Sequence, residues 1–144
     1  MQRRAWGGEQ EKEELALEAV AELNQLRSSQ VWEEMRAAEE VFAEVPMALS
    51  CGTEGCQQAM RGIIDLVYRV AGKGWKIVDY KTDRPVAGSA AGATAASAAV
   101  ASEALIARYG AQVATYASYW QTVTGEEVVE KGLGSRETGY VPLL

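Results

Sequence analysis

Residues 61–83 read RGIIDLVYRVAGKGWKIVDYKTD, and this stretch constrains the fold more than any other part of the chain. Apolar and β-branched residues flank AGKG, which is typical of a tight turn, so the pattern predicts a β-hairpin. Asp65, Asp79 and Lys81 nevertheless lie within these apolar strands. Charges in a buried sheet are unfavourable unless other groups compensate them. The hairpin therefore needs a compensating partner close to its aspartates.

The flanking sequence extends the hairpin into a larger sheet. EVPMALS, from about Ala43, AMRGIIDLVYRV and WKIVDYKT together predict a three-stranded antiparallel meander, and EEVVEKGLGS and GYVPLL predict closing strands. A helix is predicted over 103–125, where Gly125 ends it. Helical spacing of apolar residues predicts one helix over 11–27 and a second that contains Val31, Met35, Ala38 and Phe42. The predicted fold class is α/β (α+β), a central mixed sheet flanked by helices.

The 144 residues suit one domain, which we divide into a helical segment at 1–42 and a core at 43–144. Within the core, residues 85–102 are rich in Ala, Gly and Ser. The glycines favour a flexible loop, whereas the later alanines can start a helix.

Composition excludes several classes of function. The chain has no histidine, which removes Ser-His and Cys-His catalysis, and its two cysteines, Cys51 and Cys56, cannot complete a four-cysteine cluster. No glycine-rich phosphate-binding loop occurs, so we expect no ATP site. No apolar run is long enough to cross a membrane and the first residues lack an apolar signal core, so we expect no membrane association and a cytoplasmic location. The net charge of −6 argues against strong DNA binding by the chain alone.

Alternation along the last meander strand places Asp79 and Lys81 on one face. The hairpin brings Asp65 within reach of Asp79, and Glu44 from the first strand can join them. Clustered carboxylates repel each other unless a cation binds, and oxygen ligands with water in the remaining positions suit Mg²⁺. Such an ion can polarise a phosphodiester and generate a hydroxide nucleophile, with Lys81 stabilising the transition state. The spacing alone is equally compatible with an exposed strand end whose charges form a salt bridge and bind no metal.

Several of these segments occur together in a known family. GIID (62–65), IVDYKTD (77–83) and QVATY (112–116), with EVP at Glu44, resemble the PD-(D/E)XK nuclease superfamily, and most closely the C-terminal nuclease domain of AddA/RecB-type (UvrD-like) helicase–nucleases. The resemblance covers roughly residues 35–125. It implies a restriction-endonuclease-like core and Mg-dependent cleavage of DNA, with Mn²⁺ as a possible substitute.

The resemblance also implies roles for individual residues. Asp65 and Asp79 match the metal-binding carboxylates, the main-chain carbonyl of Tyr80 a further metal ligand, and Lys81 the catalytic lysine. Glu44 matches an acidic residue that assists the metal site, although Glu39 and Glu40 are close competitors. Gln112 and Tyr116 match a Q-x-x-x-Y pair that binds the DNA backbone or braces the lysine. Tyr109, Tyr119 and Trp120 on the same helix are expected mainly in the core, with stacking on single-stranded bases as the alternative.

Two features depart from the family pattern. The metal-binding histidine that many members carry upstream of the core is absent, and so is any helicase part. We therefore expect a piece of a longer helicase–nuclease that acts on single-stranded DNA ends in double-strand-break processing and recombinational repair, with helicase domains in the same or a partner chain. The alternative is a non-catalytic module that docks on a helicase complex or guides DNA.

Overall fold

The computed structural model describes residues 8–51, 58–81, 95–135 and 138–143. Two N-terminal helices precede three strands, a long helix and two further strands. In chain order these are α1 (Glu9–Arg27), α2 (Gln30–Arg36), β1 (Glu40–Cys51), β2 (Gln58–Val70), β3 (Gly74–Lys81), α3 (Ala95–Thr124), β4 (Val128–Ser135) and β5 (Gly139–Leu143). Cys56, most of the Ala/Gly/Ser-rich stretch and Thr82, Asp83 and Arg84 lie outside the described residues.

The five strands form one mixed sheet in the order β1-β2-β3-β4-β5. β1, β2 and β3 pair antiparallel as the predicted meander, and β4 and β5 pair antiparallel at the other edge. β3 and β4 run parallel, and α3 lies between them in the chain as the crossover connection that such a pair requires. The predicted fold class, a mixed sheet with an antiparallel meander and flanking helices, is confirmed.

The sheet buries apolar side chains on both faces. On the face covered by α3, here the α3 face, Ile64, Ile77 and Leu133 are fully buried together with Val113 of the helix. On the opposite face, here the α2 face, a smaller cluster is formed by Val31, Leu66, Tyr68 and Val78. Alternation explains β3, because Trp75, Ile77 and Asp79 point to the α3 face while Lys76 and Val78 point to the α2 face.

α3 is longer than the predicted helix at its N-terminal end. It begins at Ala95, so the later alanines of the Ala/Gly/Ser-rich stretch are helical, which agrees with the high helix propensity of alanine. Gly125 ends the helix as predicted: its φ is 72° and its N–H donates to the Gln121 carbonyl oxygen at 2.9 Å. This left-handed conformation favours glycine at a helix C-terminus.

α2 is shorter than predicted, and β1 begins earlier. The Ser29 hydroxyl caps α2 by accepting from the Trp32 N–H at 3.2 Å, but the helix ends at Arg36 and does not reach Phe42. Phe42 lies instead in β1 opposite Val67, and its ring contacts Trp75 and Trp120 at centroid distances of 6.0 and 5.7 Å. Strand pairing and aromatic packing therefore outweigh the helical spacing. The predicted division of the chain after residue 42 falls inside β1 and remains a prediction.

α1 lies outside both clusters. Its side chains Leu15, Leu17, Val20 and Leu23 are each more than half exposed, and within the described ranges α2 is the helix that packs against it. Among the helices of residues 8–51 and 95–135, none combines the length and the apolar character required to cross a membrane.

Candidate active site

The candidate site lies where β2 and β3 separate. Their last paired residues are Leu66 and Val78, so Asp65 and Asp79 come next on the two strands and face each other at the fork. The Asp65 side chain bridges this fork, since its Oδ2 accepts a hydrogen bond of 2.7 Å from the Tyr80 backbone N–H. The two carboxylates are close enough to interact, since the Asp65 charge helps to raise the pKa of Asp79. The structure thus brings together the two aspartates that the sequence predicts as partners.

β2 also changes face at this point. Ile64 lies in the α3-face cluster while Leu66 lies in the α2-face cluster, although strict alternation would put both on one side. The change coincides with Glu44, which stands between the β1 residues that pair with Leu66 and Ile64 and has a φ of 53°. A positive φ in a non-glycine residue is unfavourable, and such strain is concentrated at functional sites.

Asp79 occupies a protected position. It is only 2% exposed, and the Lys81 Nζ lies 2.6 Å from its Oδ2. Within the described residues no other group bonds to this buried oxygen, so the Lys81 ammonium is its charge partner. Burial raises the pKa of Asp79 above its ordinary value, and the Asp65 carboxylate adds to this, while Lys81 opposes it only in part. Asp79 is therefore a buried carboxylate whose charge is incompletely compensated.

Lys81 connects the aspartates to α3. Its Nζ donates a hydrogen bond of 2.8 Å to the Gln112 Oε1, and it lies 4.4 Å from the centroid of the Tyr109 ring. The Lys81 side chain is 17% exposed, so its ammonium can still meet a substrate from solvent. α3 thereby fixes the direction in which the lysine of β3 points.

Tyr116 and Gly62 close the site on its inner side. Tyr116 is 4% exposed, and its hydroxyl lies against the Gln112 side chain. Burial raises the pKa of Tyr116, and the nearby Asp79 charge adds to that rise. A Cβ at position 62 would meet the Tyr116 hydroxyl at 3.2 Å, so glycine lets the ring lie directly against β2. Gln112 and Tyr116, predicted as a pair, do converge on the same place as the aspartates and lysine.

The remaining predicted residues lie at the margin of this cluster. Glu44 is exposed and stands across from Asp65 in the strand register. Within the described residues it forms no hydrogen bond or ion pair with Asp79. Tyr80 takes part through its backbone N–H, while its ring points away and packs where a Cβ of Gly134 would lie. The proposed ligand role of the Tyr80 carbonyl remains a prediction.

The donor set suits a hard divalent cation. Asp65 and Asp79 present carboxylate oxygens at the fork, and the buried Asp79 Oδ2 lacks a hydrogen-bond partner. Within the described ranges no group of three or more acidic, cysteine or histidine side chains is placed to share an ion. Mg²⁺ is commonly held by one or two carboxylates and keeps several waters, so two carboxylates with a main-chain carbonyl fit it.

Two residues of the site were not predicted to belong to it. Gly62 belongs to GIID, but only the close approach of Tyr116 shows why a side chain is absent there. Tyr109 was expected to be mainly a core residue, and it does pack against the α3-face cluster while its ring also faces Lys81. Its spacing of three residues from Gln112 was the available signal, since such residues share a helix face.

This arrangement of strands and acidic residues agrees with the comparison to known families. A family model described as the PD-(D/E)XK nuclease superfamily matches residues 1–140. The chain belongs to the PD-(D/E)XK nuclease superfamily. No curated protein matches it.

As a PD-(D/E)XK protein, the chain falls within a superfamily of nucleases, which are hydrolases that act on nucleic acids and generally use divalent metals such as Mg²⁺. The sequence-level assignment to this superfamily is confirmed. The match includes α1 and α2 as well as the sheet, so the helical N-terminal segment is part of the matched region. The closer resemblance to AddA/RecB-type domains remains a prediction.

Proposed function

We propose that this PD-(D/E)XK protein is a Mg²⁺-dependent DNA nuclease whose catalytic residues are Asp65, Asp79 and Lys81. The observation that carries the proposal is the convergence of these three side chains at the β2–β3 fork, with the Lys81 Nζ 2.6 Å from the Asp79 Oδ2. Asp65, Asp79 and the Tyr80 carbonyl would hold the cation. When bound, Mg²⁺ supplies Lewis-acid polarisation of the phosphodiester and a nucleophile at neutral pH.

The chain's own residues have separable tasks in this proposal. Asp65 fixes the position of Tyr80 by accepting its N–H, and so sets the geometry of the fork. The Lys81 ammonium places positive charge where negative charge develops on the phosphate, a contribution that is large in a site shielded from water. Gln112 accepts a hydrogen bond from the lysine and the buried Tyr116 lies behind the Gln112 side chain, so the pair braces the lysine. Glu44 lies at the strained position beside the fork and would assist the metal site without sharing the ion directly.

The proposed substrate is DNA with single-stranded ends. This part rests on the resemblance of GIID, IVDYKTD and QVATY to the nuclease domain of helicase–nucleases. In that context helicase domains of the same or a partner chain deliver the strand, and the reaction serves double-strand-break processing and recombinational repair in the cytoplasm. Phosphate neutralisation supplies much of DNA affinity, and the net charge of −6 leaves this chain short of positive charge. We therefore assign part of the DNA-binding surface to the neighbouring domains.

A cleavage assay tests the proposal directly. Labelled single-stranded DNA is incubated with the protein and Mg²⁺, Mn²⁺ or EDTA, with duplex DNA as a parallel substrate. We expect cleavage with either metal, none with EDTA, and loss of cleavage in Asp79→Asn and Lys81→Met. Lys73→Met is the matched control, since Lys73 is exposed in the turn before β3, at the end of that strand away from the site. Cleavage that persists in EDTA or in both site variants would rule out this site.

A non-catalytic module is the second candidate function. It is favoured by the acidic net charge and by the two-carboxylate set, since no third acidic side chain joins the site within the described residues. This candidate predicts no cleavage and no calorimetric heat of Mg²⁺ binding to the wild-type protein. It also predicts that Asp79→Asn leaves binding to helicase domains unchanged.

A further inference from the structure

The Lys81 ammonium is held by three groups on two elements. Asp79 on the same strand attracts it with a 2.6 Å ion pair, whereas α3 contributes the Gln112 Oε1 at 2.8 Å and the Tyr109 ring at 4.4 Å from its centroid. An ammonium has three N–H donors, so these contacts are made together. The position of the ammonium therefore depends on α3 as well as on its own strand.

The position of the ammonium matters because Asp79 and Lys81 have different tasks in the proposed reaction. The lysine contacts the buried Asp79 Oδ2 at 2.6 Å, and its charge must also lie where a phosphate can meet it. The stem of a lysine side chain is flexible, and an aromatic face attracts an ammonium through its negative quadrupole. A fixed ring therefore limits where the charge can lie.

We propose that Tyr109 is a positioning residue for Lys81, its ring fixing the ammonium in the place where it meets Asp79 and Gln112. This inference rests on the proposed nuclease function for its consequence, although the ring–lysine contact itself does not. Tyr109 is suited to the task because it is partly buried and packs against the α3-face cluster, so its ring is fixed by its neighbours. It also precedes Gln112 by about one helical turn, which lets one segment of α3 present both groups.

The contact can be measured without any reaction. In protein labelled with ¹³C-lysine and kept in EDTA, the Lys81 Hε resonances, assigned with Lys81→Arg, should be shifted upfield by the ring current of Tyr109. Exposed Lys12 on α1 supplies the unshifted reference. Tyr109→Phe keeps the ring and should keep the shift, and Tyr109→Leu should abolish it. Lys81 resonances that coincide with those of Lys12 in the wild-type protein would overturn the proposal.

The consequence for catalysis is tested with the same variants. For Tyr109→Leu we expect a fall in kcat of about two- to thirty-fold, with the KM for DNA unchanged, because the less restrained ammonium meets the developing charge less often. Tyr109→Phe should retain the wild-type values. Tyr119→Leu is the matched control, because Tyr119 is partly buried on the same helix against the same cluster.

The outcomes separate this inference from the proposed function. A wild-type protein that does not cleave DNA contradicts the nuclease proposal, while the ring-current shift still decides the contact. A wild-type protein that cleaves, together with a Tyr109→Leu variant of normal kcat, contradicts the positioning role alone. Where Tyr109→Leu does not fold, the wild-type and Tyr109→Phe shifts decide the question.

Discussion

The Asp65 carboxylate accepts a 2.7 Å hydrogen bond from the Tyr80 backbone N–H at the point where the β2–β3 ladder has ended. A side chain of one strand thus continues the pairing that the backbones no longer make. The strands separate without leaving this donor unpaired, and the gap between them contains the second aspartate. Asp65 therefore has a structural task as well as its proposed catalytic one.

Two substitutions of Asp65 separate these tasks. Asp65→Asn keeps a side-chain oxygen for the Tyr80 N–H, so we expect near wild-type stability but no cleavage of DNA. Asp65→Ala removes the acceptor and should lower the free energy of unfolding by about 1 kcal/mol in addition. Urea denaturation with a parallel cleavage assay checks both. Equal unfolding free energies for the two variants would contradict the bridging role.

Gly62 and Gly110 form a matched pair of glycine-to-alanine substitutions. A Cβ at position 62 would lie 3.1 Å from the Tyr116 Cε1, whereas at Gly110 the nearest atom outside the helix backbone is the Ile106 Cγ2 at 3.5 Å. We expect Gly62→Ala to displace the Tyr116 ring, costing about 1–3 kcal/mol and reducing activity.

Gly110→Ala should instead stabilise the protein by about 0.5–1 kcal/mol, because alanine favours the helix. Thermal unfolding and the cleavage assay measure both variants. A stabilising effect of Gly62→Ala would show that Tyr116 does not require the close approach.

Mg²⁺ should stabilise the folded protein in a way that depends on the two aspartates. A ligand that binds only the folded state at 100 times its Kd adds about 2.7 kcal/mol to the free energy of unfolding. We expect a rise in Tm with Mg²⁺ for the wild type and none for Asp65→Asn or Asp79→Asn, measured by calorimetry. Glu14→Gln on exposed α1 is the control for nonspecific effects of the cation. An equal rise in the Asp79 variant would place the bound ion elsewhere.

A partly buried polar network on the α2 face predicts a pH dependence of stability. The Lys76 Nζ contacts Glu34 at 2.8 Å and Glu130 at 3.3 Å, and the Tyr68 and Tyr140 hydroxyls donate to these two glutamates. Burial tends to raise the pKa of Glu34, but its hydrogen bonds from Lys76, Gln30 and Tyr68 outweigh this and lower it. Burial tends to lower the pKa of Lys76, but the two carboxylates outweigh this and raise it.

The directions of these two pKa shifts determine how the free energy of unfolding should depend on pH. The lowered Glu34 pKa contributes stability above the ordinary glutamate range, which is lost as the pH falls through the folded-state pKa. The raised Lys76 pKa contributes stability at neutral pH, which is lost only as the pH rises through the folded-state pKa in the alkaline range. Glu34→Gln should therefore flatten the acid limb of unfolding free energy against pH.

Lys76→Met tests the same network from its centre. It leaves two partly exposed carboxylates facing each other, so we expect a loss of about 1–3 kcal/mol at neutral pH. Urea denaturation across the pH range measures both variants. An unchanged acid limb in Glu34→Gln would contradict the account.

The parts of the fold set by local chemistry were predictable from the sequence. The AGKG turn between two apolar segments predicted the β2–β3 hairpin, and Gly125 predicted the end of α3. Phe42 was assigned to a helix because its spacing from Ala38 is compatible with one. Its place in β1 depends on Val67, Trp75 and Trp120, which are distant in sequence, so local spacing could not reveal it.

The sequence indicated which residues form the candidate site better than it indicated how they are arranged. Alternation along β3 placed Asp79 and Lys81 on one face, as the structure has them. The face change of β2 at Asp65 could not be predicted, because it departs from the alternation on which the prediction depends. The bridge from Asp65 to the Tyr80 N–H follows from that departure and was likewise hidden.

The parallel pairing of β3 with β4 also bears on the order of folding. The meander can form through short loops, because each of its strands follows the previous one closely in the chain, whereas β3 and β4 meet only after α3 has been traversed. Non-local pairings of this kind form slowly, since a long loop must close before they gain energy. Gln112 and Tyr109 can contact Lys81 only once α3 has packed on the sheet. The position of Lys81 at the fork is therefore set late in folding. An incompletely folded chain carries the aspartates without the groups that direct the lysine.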